Sequence, residues 1–163
     1  MKKHLDHTWV NQMAQELVRE ITQQMSGIEL NNCDALPSDV NLEELDAVYS
    51  LAVGKYQMQM QFRAQDSMFF RLARNMIGDE PEDRYEVQEY AAEFFNVLCG
   101  RFVSEISEES HRLACIAPPQ YESPPDVTEL ITEPKHTLCF MSSDRETAVF
   151  SWTALQTECC VGG

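Results

Sequence analysis

The chain is expected to fold as an α+β domain, a mostly antiparallel sheet with two long helices packed on one face. Three observations predict this. Residues 6–25 and 84–107 carry apolar side chains at helical spacing. Residues 56–62 alternate strictly between apolar and polar. Along the chain the order is helix, strands, helix, helix, strands, which places helices over one sheet face.

The first helix rests on Trp9, Met13, Leu17, Ile21 and Met25, which recur every four residues with Val10, Ala14 and Val18 beside them. Gly27 is its expected C-cap. Residues 31–46 are polar and acidic, contain Pro37, and read as a loop. Ala47 to Val53 reads as a strand ended by Gly54, and Tyr56 to Phe62 as its hairpin partner, one face buried and one wet. Asp66 is expected to cap a helix over 67–77 that buries Met68, Phe69, Leu72, Ala73, Met76 and Ile77 and stops at Gly78.

Asp83-Arg-Tyr-Glu86 matches a capping box opening the longest helix, about 84–107. Its apolar pattern degrades after Val103, since Glu105 falls on the buried side, so the last turn is expected either to fray or to contact something else. His111 to Ala117 reads as a strand. Residues 118–135 hold Pro118, Pro119, Pro124, Pro125 and Pro134 among acidic residues and read as a long loop without regular structure. His136 to Ser142 and Thr147 to Leu155 form a final hairpin around Ser143-Asp144-Arg145, followed by a tail, residues 156–163, expected to be mobile.

With 163 residues, one domain covering 1–163 is expected, with enough chain for a core. The charge is lopsided: 12 basic against 27 acidic residues give −15. Such a surface repels phosphate backbones and anionic lipid, so neither nucleic acid nor membrane is an expected partner. No secretory signal follows the basic start and no apolar run reaches the ~20 residues of a bilayer span, so a cytoplasmic location is expected. In that setting the six cysteines read as free thiols, with Cys99, Cys115 and Cys139 as small hydrophobes inside apolar segments. Cys159-Cys160 is a vicinal pair without zinc spacing, and His4 and His7 lack a third ligand and read as solvated, so no metal site is expected. Gly-x-Ser-x-Gly, His-Glu-x-x-His and P-loop motifs are all missing, which disfavours a classical hydrolase.

The informative segment is Glu89-Tyr-Ala-Ala-Glu93-Phe-Phe-Asn96-Val-Leu-Cys-Gly100. At about 100° per residue, a helix aligns Glu89, Glu93, Asn96 and Gly100 in one stripe, opposite Val87, Ala91, Phe94, Phe95, Leu98 and Phe102. Asn and Gly are poor mid-helix residues, Gly by about 1 kcal/mol against Ala, so seating both outward weakens the helix without a packing gain. An amide offers a donor and an acceptor and can orient a water, though it cannot act as a general base. A glutamate one turn away can pair with a partner lysine, and a glycine admits a partner's backbone. This is a positioning device, suited to phosphoryl hydrolysis at an electrophile activated elsewhere. A solvated helix surface has the same look.

The Glu-x-x-Asn-x-x-x-Gly run, with Glu89 four residues before Glu93, resembles the active motif of the CheC/CheX/FliY phosphatases, which remove phosphate from the response regulator CheY. Met58-Gln-Met-Gln-Phe-Arg-Ala-Gln-Asp-Ser-Met-Phe-Phe-Arg-Leu-Ala-Arg-Asn-Met-Ile-Gly78 resembles the family's strand, helix and Met-Leu-Gly ending. The pattern covers about residues 47–119. The first helix has no Glu-x-x-Asn, and a single central motif points to CheX rather than to two-motif CheC. By that resemblance Asn96 would position the water, Glu93 would grip a lysine beside the receiver's phosphorylated aspartate, and Glu89 and Gly100 would shape the docking surface. Magnesium would come with the receiver, the chain would need no cofactor of its own, and it would form a homodimer. Glu89 stands where Asp or Ser is more usual, and the acidic, proline-rich 118–135 segment departs from the family's more apolar connection. The alternative is a module that binds a receiver or other signalling protein without catalysis.

Overall fold

The computed structural model describes residues 6–122, 130–131 and 135–156. The order is α1 (His7–Ser26), β1 (Leu30–Cys33), a 3-10 turn (Leu42–Glu44), β2 (Asp46–Gly54), β3 (Met58–Ala64), α2 (Asp66–Ile77), α3 (Arg84–Ser110), β4 (Ala114–Ile116), β5 (Gln120–Tyr121), β6 (Leu130–Ile131), β7 (His136–Ser142) and β8 (Thr147–Gln156). The strands run β1-β7-β8-β3-β2-β4, all pairings antiparallel, with β5 also on β2 and β6 on β8. The expected α+β architecture is what forms.

Each helix begins and ends where its local chemistry says it should. Asp6 caps α1 by accepting from the Thr8 N–H at 2.9 Å, and Gly27 closes it in the left-handed conformation that glycine reaches without strain. Asp83 accepts from the Glu86 N–H at 2.9 Å, which makes the first half of the capping box. Gly78 ends α2 with φ 83°. Asp66, however, is the first residue of α2 and not its cap. Gln65 holds the cap position, and its side chain is committed elsewhere, accepting from the Thr147 N–H at 2.9 Å and tying the start of α2 to β8.

The core lies between the helices and one sheet face. Register puts Val48, Met60 and Phe62 beside Trp152 and Phe150, and these pack under Ala14, Val18, Phe69, Phe94, Phe95 and Phe102. Phe62 meets Phe94 edge to face at 5.2 Å, and Phe102 meets Phe150 at 5.3 Å, the geometry aromatic quadrupoles favour. Trp152 is buried and donates its indole N–H to Asn11 Oδ1 at 2.8 Å, which joins α1 to the sheet.

Several expectations fail for nonlocal reasons. All of β1 but Leu30 lies within the stretch read as a loop, yet it pairs with β7, although Asn-Asn-Cys has no strand signature of its own. The second sheet face is not wet throughout: Gln61, Val149, Ser151 and Thr153 are buried, while Val53 is exposed. At one end of this face Arg63 donates to the Leu42 and Leu45 carbonyls and to the Tyr49 hydroxyl, tying the chain before β2 to β3. Of the two outcomes open for the end of α3, the contact forms and not the fraying. Ile106 is fully buried, and the Tyr56 hydroxyl reaches the Val103 carbonyl at 3.1 Å and Ser107 Oγ at 2.8 Å, pinning the last turns.

His111 is a left-handed C-cap, not strand, so β4 starts three residues later. The segment read as structureless carries β5 and β6, β5 running on the β2 edge past the Pro118-Pro119 interruption. His7 is not simply solvated, since its ring meets those of His136 and Trp152 at 4.7 and 5.5 Å. Cys115 is exposed rather than packed, while Cys99 is fully buried. The readings made for His4, Cys159-Cys160, Pro124, Pro125, Pro134 and the tail beyond Gln156 fall outside the described residues.

Candidate functional site

The stripe lies on α3, which packs against α1, α2 and the sheet. Val87, Ala91, Phe94, Phe95, Leu98 and Phe102 are buried, as their spacing requires. With that face fixed, Glu89, Glu93 and Asn96 are left exposed and Gly100 half-buried. The structure therefore brings all four sequence-singled residues into one line. By helical rise, Glu93 lies about 6 Å beyond Glu89, and Asn96 about 4.5 Å beyond Glu93.

Among the described residues, none hydrogen-bonds or pairs with the side chain of Glu89, Glu93 or Asn96. Other exposed carboxylates, Glu16, Glu82 and Glu108 among them, are equally unpaired among the described residues, whereas three arginines are engaged. Arg71 is held by Asp144 and Glu146, Arg74 by Glu80 and Arg84 by Glu122. The stripe thus presents two uncommitted carboxylates and an uncommitted amide on a helix whose other side is locked by edge-to-face aromatics. Such support keeps their spacing fixed while leaving their hydrogen-bonding capacity for a partner.

Gly100 is open. A Cβ built there meets only Ile116 Cδ1, at 4.0 Å. Packing does not demand the glycine.

Two residues were not singled out from sequence. Tyr85 stands one turn before Glu89 on the same line and is 75% exposed; Val97, next to Asn96, is 37% exposed. Large exposed apolar groups flanking a polar stripe are usual for docking surfaces. The four-residue spacing Tyr85-Glu89-Glu93 was the available signal.

None of the described cavities is lined by Glu89, Glu93, Asn96 or Gly100. An open cavity of about 370 Å³ lies instead at the starts of α2 and α3, between Asp66, Phe70, Asp83, Arg84 and Tyr121. Among the described residues no group of three or more His, Cys, Asp or Glu is placed to hold a metal ion, and no helix is long and apolar enough to cross a membrane.

No protein-family model and no curated protein sequence matches the chain. Solved structures do match. A chemotaxis protein CheX from Desulfovibrio desulfuricans superposes with TM-score 0.72 at 13% identity, over 89% of this chain and 98% of its own. CheX in a CheX–CheY–BeF3–Mg2+ complex from Borrelia burgdorferi matches with TM-score 0.66 at 15% identity, over 94% and 100%. A chemotactic CheC-like protein from Shewanella oneidensis matches with TM-score 0.67 at 18% identity, over 88% and 95%. The likeness runs through nearly the whole of both chains, and the protein has the fold of the CheX and CheC-like chemotaxis proteins.

Proposed function

We propose that the chain is a CheX-like member of the CheC/CheX/FliY phosphatases and hydrolyses the aspartyl-phosphate of a CheY-type receiver domain. The observation that carries this reading is the free, aligned Glu93 and Asn96 on a rigid helix of a protein with the CheX fold. The partner is suggested by the Borrelia burgdorferi CheX, which is seen in complex with CheY.

An acyl phosphate already has a good leaving group in its carboxylate, so catalysis reduces to placing water in line and stabilising charge. The Asn96 amide oxygen accepts from an attacking water and its NH2 donates, fixing the water's lone pair towards phosphorus. Glu93, one turn away, pairs with the receiver's lysine and sets the depth of insertion. Glu89 and Gly100 shape the contact, Glu89 by charge and Gly100 by admitting a close backbone. Magnesium belongs to the receiver in this scheme, and this chain supplies no cofactor. The charge of −15 suits a partner that offers a lysine. A homodimer belongs to the same proposal.

The test is the loss of radiolabel from a phosphorylated CheY-type receiver with and without the chain. Acceleration supports the reading. A complex whose phosphoryl decay is unchanged would identify a non-catalytic binding module instead.

A further inference from the structure

Cys33 and Cys139 are direct register partners across the β1–β7 ladder. Opposed Cα atoms in antiparallel pairs lie about 4.5 or 5.5 Å apart, and both spacings fall within the roughly 4.4–6.8 Å that a disulfide spans. The two side chains necessarily leave the sheet on the same face. That face is the one away from the helices, because Leu138 and Phe140, alternating with Cys139, belong to the core. Both thiols are partly exposed and unbonded to each other. Cys139 is raised from its ordinary value by burial first and by the Cys33 thiol second, which sets the two sulfurs within electrostatic reach. Nothing in the local sequence announces the pair, since the residues are far apart in the chain and β1 has no strand signature.

We propose that Cys33 and Cys139 are a reversible oxidation site, forming a cross-strand disulfide by exchange with a low-molecular-weight disulfide such as oxidised glutathione. Cys33, on the edge strand, loses its proton and attacks one glutathione sulfur. The glutathione S–S bond breaks, a Cys33–glutathione bond forms, and one glutathione thiolate leaves. Cys139, deprotonated in turn, attacks the Cys33 sulfur and expels the second glutathione thiolate. The two protein protons end on the two glutathione thiols. The protein loses two electrons, and glutathione disulfide gains them. β1 lies at the end of the sheet order and follows directly on α1, so the bond staples an edge strand, and the end of the first helix, to β7. The inference does not depend on the proposed function.

The test exposes the folded full chain to oxidised glutathione at a concentration that fully modifies the exposed Cys115, blocks remaining thiols and digests with trypsin without reduction. Cleavage isolates Cys33 in Glu20–Lys55 and Cys139 in His136–Arg145, each with no other cysteine. The expected product is these two peptides joined, two hydrogens lighter than their sum, and lost on adding dithiothreitol. Oxidation should also raise Tm by roughly 5–10 °C, because the bond closes a loop of about a hundred residues. Cys33→Ser and Cys139→Ser should each abolish the joined peptide and the Tm rise while folding like the reduced wild type. Recovery of both peptides separately, carrying glutathione or the blocking label while Cys115 is fully modified, would overturn the proposal.

Discussion

Phe62 of β3 and Phe94 of α3 meet edge to face at 5.2 Å with planes 89° apart, directly behind the helix face that carries Glu93 and Asn96. Both rings are buried, and Phe62 also contacts Phe69 and Phe95. The exposed stripe is thus backed by a four-ring aromatic cluster linking sheet, α2 and α3. Phe94→Ala should cost about 3–5 kcal/mol in chemical denaturation. Phe94→Leu should cost less and keep the fold. A loss below 1 kcal/mol for the alanine variant would mean that this contact does not hold α3 in place.

Gly100 separates stability from recognition. Its added Cβ meets only Ile116 at 4.0 Å, so Gly100→Ala should stabilise α3, by about 1 kcal/mol on helix propensity. The same methyl group occupies the surface that the proposed docking leaves for a partner's backbone. Binding to a beryllofluoride-activated receiver, measured by titration calorimetry, should weaken. A more stable variant with undiminished binding would remove Gly100 from the docking surface.

Gly54 is the opposite case. A Cβ there would lie 2.6 Å from the Leu113 carbonyl oxygen and 2.8 Å from Ala114 Cα, both backbone atoms that cannot swing aside. Gly54→Ala should destabilise by about 1–3 kcal/mol and loosen β4 from β2. Hydrogen exchange at Lys55, whose N–H donates to the Leu113 carbonyl at 2.9 Å, reports the same event locally.

Glu122 predicts a pH effect. Its carboxyl is held above the ordinary value, first by the hydrogen bond to Asp46, then by burial and the Asp46 charge. A raised carboxyl favours the protonated folded state, so its contribution is present below the ordinary value of 4.5 and is lost as pH rises through the folded value. Above that, two carboxylates repel beside the Tyr121 hydroxyl, which donates to Asp46 Oδ2 at 2.9 Å. Asp46→Asn should therefore raise Tm at pH 7, with the gain shrinking as pH falls towards 4. A pH-independent difference would contradict the pairing.

How much of this was legible in the sequence follows from how local each signal is. α1, α3 and the β2–β3 hairpin announce themselves because caps, glycines and periodicity lie within a few residues of one another. The stripe was legible for the same reason, one helix carrying all four residues, and its exposure follows once Phe94, Phe95 and Leu98 are buried. β1, β5 and β6 were not legible, because short polar or proline-flanked segments become strands only through partners far away in the chain. The burial on the second sheet face was hidden likewise, since Arg63 reads as an outward strand residue until it ties the chain at Leu42 and Leu45 to β3. Gln65 took the cap position that Asp66 seemed suited to because its longer side chain reaches β8.

The central claim is that Asn96 aligns the attacking water. Its amide is exposed and engaged by no described residue, so Asn96→Ala removes no internal bond and should leave the fold intact. The decisive measurement is the dephosphorylation rate of a radiolabelled CheY-type receiver with wild type and with Asn96→Ala, alongside the affinity of each for the beryllofluoride-activated receiver. The account predicts at least a hundred-fold loss of acceleration, roughly the scale of losing one transition-state hydrogen-bonding group, with affinity changed by less than about threefold, under 1 kcal/mol. An Asn96→Ala variant that accelerates phosphate loss as well as the wild type would contradict it.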